Sequence, residues 1–162
     1  MRQFHTIPPF FPESANVLIL GSFPSVLSRK TGFYYGNPQN RFWKLLAALT
    51  EDAVPAGILS KKAFLARHGI ALWDAAESCD IEGSSDASIR GAVTNPIGEK
   101  AKGRSLRAIL INGRTAARLY EKLVQDKPPL PTIVLPSTSA ANASYSFERL
   151  LSEWSAMKKY LK

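Results

Sequence analysis

Asn16-Val17-Leu18-Ile19-Leu20-Gly21-Ser22-Phe23-Pro24 is an apolar run that a glycine and a proline bring to a halt. A run without polar alternation is the pattern of a strand buried on both faces, and such strands belong to parallel sheets covered by helices. The strand is placed at Val17 to Phe23. Three further short apolar runs, Ile70 to Trp73, Ala108 to Asn112 and Thr132 to Leu135, have the same character and end against Asp74, Gly113 and Pro136.

Helical periodicity fills the intervals. Asn37 fits an N-cap with Pro38 at the first helical position, followed by Phe42, Leu45, Leu46 and Leu49 on one face. This places Asn40 in the first helical turn. Ser60 to Arg67 reads as a second helix capped by Ser60. Arg114 to Val124 aligns Ala116, Leu119, Tyr120 and Leu123, and Ser144 to Leu161 aligns Phe147, Leu150, Leu151, Trp154 and Leu161. Strands alternating with helices predict an α/β fold, a three-layer α/β/α sandwich around a central, mostly parallel four-stranded sheet. Cys79 to Gly91, with a short helix at Asp86 to Arg90, and Thr94 to Arg104 read as loops. No linker or repeat divides the 162 residues, so the whole chain reads as one domain with residues 1–13 as an N-terminal extension.

The net charge of +8 suits a polyanionic partner. The lone cysteine, Cys79, has no partner for an internal disulfide and excludes a cysteine-ligated iron–sulfur cluster. Met1 to Pro12 has no signal-peptide pattern and no apolar run is long enough to span a bilayer, so a cytoplasmic protein with no membrane partner is expected. Asp74, Asp80, Glu82 and Asp86 have no spaced His or Cys partners and read as caps and turn residues, so no metal is expected. His5 and His68 stand isolated.

In open parallel sheets, ligands bind beyond the carboxyl ends of the strands. The first strand ends at Gly21-Ser22-Phe23-Pro24-Ser25, and the last leads into Leu135-Pro136-Ser137-Thr138-Ser139-Ala140-Ala141-Asn142. Between them lies Tyr34-Tyr35-Gly36-Asn37-Pro38-Gln39-Asn40-Arg41-Phe42-Trp43. A strand end, tyrosine faces and an amide at a helix N-terminus suit the holding of a nucleobase beside a polar reactive group. Gly21 allows the backbone to approach a ligand closely.

These three segments resemble the uracil-DNA glycosylase superfamily, and most closely its hypoxanthine-DNA (deoxyinosine) glycosylase branch. Ala71-Leu72-Trp73-Asp74 and the Glu77 to Arg90 segment are supporting matches, so the similarity runs from about Asn16 to the C-terminus. The resemblance implies a monofunctional glycosylase of base excision repair that hydrolyses the N-glycosidic bond of a flipped deaminated base. Hypoxanthine is the first expectation, with uracil or xanthine also open, in double- or single-stranded DNA. The enzyme would act as a monomer without a cofactor. Mismatch-specific relatives carry their catalytic Asn where this chain has Phe23, and in the hypoxanthine branch the motif match implies Asn40 instead. The implied base pocket is Gly21, Ser22, Phe23, Pro24, Ser25, Tyr35 and Gly36, with the Tyr35 ring stacking on the base. The implied DNA-binding or wedge loop is Pro136, Ser137, Thr138, Ser139 and Asn142. The chain departs from relatives at Ala140, where they usually have Pro, and at Asn37, where they often have His. Two other readings stay open: an inactive nucleic-acid-binding module of the same fold, and an enzyme acting on free nucleosides or nucleotides.

Overall fold

The computed structural model describes residues 1–161. Its centre is a parallel sheet of β2 (Val17–Gly21), β3 (Ile70–Asp74), β6 (Ala108–Asn112) and β7 (Thr132–Leu135), in the order β3-β2-β6-β7. Every residue of β2, β3 and β6 is buried, as their continuous apolar character requires. The register sets Gly21 beside Asp74 and Asn112 beside Leu135, so the polar residues that end these strands line up along one edge.

A second sheet was not foreseen. The strands β1 (Arg2–Phe4), β4 (Ala76–Asp80) and β5 (Arg90–Thr94) form an antiparallel sheet in the order β1-β4-β5. The Ser, Gly and Asp content that suggested a loop belongs to the turn between β4 and β5, where Asp86–Ser88 makes a single 3-10 turn. Residues 1–13 are woven into the fold. Beyond β1, Phe10 bridges to Leu72, and the Tyr34 hydroxyl donates to the Pro8 carbonyl at 3.0 Å.

Among the described residues there are six α-helices: α1 (Val26–Thr31), α2 (Phe42–Thr50), α3 (Ile58–His68), α4 (Ile97–Ala101), α5 (Arg114–Leu123) and α6 (Phe147–Trp154). Helix α1 lies in a stretch to which the sequence reading assigns no element, and α4 in one read as a loop. The amphipathic α5 packs on β6 and β7 and also meets β5, filling the angle between the two sheets. Helix α6 packs on α2, and Trp154, fully buried, meets Phe42 edge-on.

Helix α2 starts later than expected. The Asn37 side chain accepts the Gln39 N–H and the Asn37 carbonyl accepts the Asn40 N–H, which closes a separate turn ahead of the helix. The Ser60 cap also fails, because α3 begins at Ile58 behind Gly57. The last helix is shorter than its apolar spacing suggests. Ser146, whose hydroxyl accepts the Arg149 N–H, caps it, and from Ser155 to Tyr160 the chain tightens into 3-10 geometry.

Candidate active site

The carboxyl edge of the parallel sheet carries a connected row of polar side chains. Asn112 ends β6, and its carbonyl accepts the Thr138 backbone N–H at 3.1 Å. Its amide donates to the Thr138 hydroxyl at 3.1 Å and to the Tyr35 hydroxyl at 3.3 Å. The Thr138 hydroxyl in turn donates to Asn40 Oδ1 at 2.7 Å. Thr138 is fully buried. The network therefore ties the first and second motifs together through a residue, Asn112, that belongs to neither.

Asn40 is held just before α2, outside the helix proper. Its Oδ1 also accepts the Phe42 backbone N–H at 3.0 Å, which caps the helix from within the motif. A backbone N–H can only donate, so this contact fixes which end of the amide is oxygen. With two donors on Oδ1, the carbonyl is occupied and the Nδ2 amide is the end left for a ligand.

Tyr35 adopts a φ of 54°, a left-handed conformation rare for an aromatic residue. The cost is supported by stacking on Phe42, with ring centroids 3.8 Å apart and planes within 14°. One face of Tyr35 is therefore taken, and at most the other can meet a base. Burial pushes the Tyr35 phenol well above the ordinary tyrosine range, with the Asp74 charge adding to the effect, so the group stays protonated.

Gly21 sits under this row for a steric reason. A methyl group there would lie 2.4 Å from Asp74 Oδ1 and 3.1 Å from the Tyr35 hydroxyl. Asp74 is not a solvent-facing turn residue, since its side chain is only 5% exposed and its Oδ2 pairs with His5 Nε2 at 2.8 Å. The isolated histidine of the sequence thus finds its partner 69 positions away.

The remaining pocket residues divide by role. The Ser22 hydroxyl donates to Asp86 Oδ1 at 2.8 Å. Desolvation pushes the Asp86 carboxyl upward; the Ser22 hydrogen bond opposes that and the nearby Asp74 charge reinforces it. Phe23 packs in a small second core with Ala75, Ala76, Cys79 and Ile81, below the Arg29 guanidinium. Pro24 accepts from Arg29 through its carbonyl, and Ser25 caps α1 by accepting the Ser28 N–H. Gly36 donates its N–H to the Ser28 hydroxyl, and the Thr31 side chain leaves no room for a methyl group there. Pro24, Ser25 and Gly36 thus act as supports for the turn.

The loop after β7 is built around Arg41. The Arg41 guanidinium donates to the carbonyls of Ser139 at 3.0 Å, Asn142 at 3.2 Å and Tyr145. The Arg41 backbone N–H donates to the Thr138 carbonyl at 3.1 Å. Pro136 accepts the Trp154 indole N–H, Ser137 accepts the Ser139 N–H, and Asn142 returns its amide to the Ser137 carbonyl. Asn142 therefore shapes the loop, whose exposed tip is Ala140-Ala141.

Among the described residues no helix is long and apolar enough to cross a membrane. The model of the uracil DNA glycosylase superfamily matches residues 8–160. A hypoxanthine DNA glycosylase of Methanosarcina acetivorans is 38% identical over 155 residues, covering 94% of this chain and 96% of the relative. A hypoxanthine DNA glycosylase of Methanosarcina barkeri is 33% identical over 137 residues, covering 83% and 85%. A solution NMR structure from Methanosarcina acetivorans, described as a candidate uracil DNA glycosylase, superposes with a TM-score of 0.80 at 34% identity, covering 98% of both chains. The motifs at the sheet edge, the extent of these matches and the shared fold agree: the chain belongs to the uracil DNA glycosylase superfamily.

Proposed function

We propose that the protein is a monofunctional DNA glycosylase that takes a deaminated base, hypoxanthine first, out of the DNA stack and hydrolyses its N-glycosidic bond. The observation that carries this reading is the fixed orientation of Asn40. Thr138 and Phe42 both donate to its carbonyl, which leaves its amide as the end free to meet a ligand.

In the reaction the bond between the sugar's anomeric carbon and the base nitrogen breaks heterolytically, and its electron pair leaves with the base. A water oxygen then bonds to the anomeric carbon, and the proton it sheds balances the charge on the departed base. An Asn40 amide donating to that water leaves the oxygen a lone pair for the carbon. An amide is too weak a base to remove the proton early, so the path is dissociative, with positioning and electrostatics supplying the acceleration. The basic charge of the chain supplies affinity for the phosphate backbone.

The test is base release from end-labelled duplexes carrying one hypoxanthine, uracil, xanthine or ethenoadenine, read as strand breaks after alkali. The reading expects product on the hypoxanthine duplex above the others. Absence of product on every duplex, with DNA binding intact, would favour an inactive binding module of the same fold.

A further inference from the structure

At the end of the parallel sheet away from Asn112 and Thr138, the chain builds a second concave surface. A cleft of about 610 Å³, within the range of ordinary ligand sites, opens between the end of α4 and the loop that leads into β7. Ala101 and Leu106 form one wall, and Pro128, Pro129 and Leu130 the other. Leu106 stands just before β6 and Leu130 just before β7, so the cleft lies at the amino ends of these strands. The prolines have a fixed φ and no N–H, and the Leu130 N–H is spent on the Pro128 carbonyl at 2.8 Å, so this wall presents stiff apolar surface. Asp126 Oδ2 accepts the Glu99 N–H at 3.1 Å and ties the loop to α4.

The rim of the cleft is cationic. Residues 100–107 hold Lys100, Lys102, Arg104 and Arg107 with no acidic residue among them. Lys102 and Arg104 line the cleft from exposed positions. Among the described residues none of the four makes an ion pair. Arg104 is nevertheless held in place: its Nε donates to the Lys100 carbonyl at 2.8 Å, and its guanidinium lies over the Phe11 ring, 4.4 Å from the centroid. The two terminal nitrogens of its planar fork are left for a carboxylate. Like charges gathered in one run repel, and an anionic partner relieves that repulsion.

We propose that this cleft docks an acidic segment of another protein, an extended stretch in which carboxylates flank at least one bulky apolar side chain. The apolar side chain fills the space between Leu106 and the Pro128-Pro129 wall, and the carboxylates pair with Arg104 and Lys102 at the rim. The lining favours a peptide over a nucleic-acid backbone, whose phosphates would meet the rim and leave the apolar cleft empty. A partner seated there leaves the opposite end of the sheet open, so DNA at the candidate active site and the docked segment are held at once.

The experiment measures fluorescence-anisotropy binding of the full chain to peptides that place one Leu, Phe or Trp at each position of an aspartate-rich stretch. The controls carry asparagine for aspartate, or serine for the apolar residue. At least one peptide binds the wild type about 10-fold or more tighter than both of its controls. Lys102→Glu/Arg104→Glu weakens that binding about 10- to 100-fold, and Leu130→Asp, which puts a carboxylate in the apolar wall, does likewise. Melting curves identify variants that fail to fold, and Arg104→Gln, at an exposed position, gives a milder loss in the same direction. At physiological ionic strength an undamaged DNA duplex leaves the peptide bound. Binding of no peptide above its controls, or unchanged binding in the folded double variant, would overturn the inference. Displacement of the peptide by the duplex would overturn it too and assign the cationic rim to nucleic acid.

Discussion

At Asn40, which the proposed reading places against the substrate, a neighbour 98 positions away helps fix which end of the amide is free. The Thr138 hydroxyl receives from Asn112 and donates to Asn40, so it relays the orientation of a strand-end residue to the Asn40 amide. Replacing Thr138 by Val keeps the shape, removes one of the two acceptors of the Asn112 amide and leaves the Asn40 carbonyl held by the Phe42 N–H alone. Single-turnover base release by Thr138→Val should fall about 10- to 100-fold with KM little changed, and Thr138→Ser should recover most of it. Asn40 and Tyr35 were legible from the motif in which they stand. The network position of Asn112 and the His5–Asp74 pair were not, because their partners lie far along the chain. The available signal for Asn112 was positional: it is a polar residue closing a buried strand just before a glycine, as Gly21 closes another.

At the scale of elements, Arg41 joins the start of α2 to the loop after β7. Its planar guanidinium reaches several carbonyls at once, a geometry a lysine ammonium cannot copy. Arg41→Lys should raise hydrogen exchange across residues 137–145 and cost about 1–3 kcal/mol of stability in urea titration. Arg67 and His68, at the end of α3, both bond Asp52 just beyond α2. These contacts, His68 first, hold the Asp52 carboxyl well below the usual carboxylate range. The folded value is the lower one, so the stabilisation is present above the unfolded value of about 3.9 and is lost as the pH falls toward the folded value. The urea midpoint should therefore drop between pH 5 and pH 2, and it should drop less steeply in Asp52→Asn. Buried parallel strands were readable because their apolar runs are continuous. Strands β4 and β5 were missed because β4 mixes buried and exposed residues and β5 has no buried residue, both among turn formers, and α2 was started too early because Asn37-Pro38 also suits a closed turn.

For the whole molecule, two sheets meet around α5, and the carboxyl edge of the parallel sheet gathers residues from the end of β2 to the loop after β7. That convergence explains why the α/β/α class followed from the alternation of elements while the second sheet did not. A net charge of +8 predicts that DNA affinity falls steeply with salt. A plot of log affinity against log salt should have a slope between about −3 and −6, and a slope near zero would point to free nucleosides as substrates instead. The most direct test of the central claim is single-turnover release of hypoxanthine from a saturated duplex by the wild type and by Asn40→Ala, with melting curves for both. The account predicts product from the wild type and a rate lower by about 100-fold or more in a variant that folds and binds DNA as before. Equal rates from the two proteins would contradict it, because the chemistry would then lie with other residues.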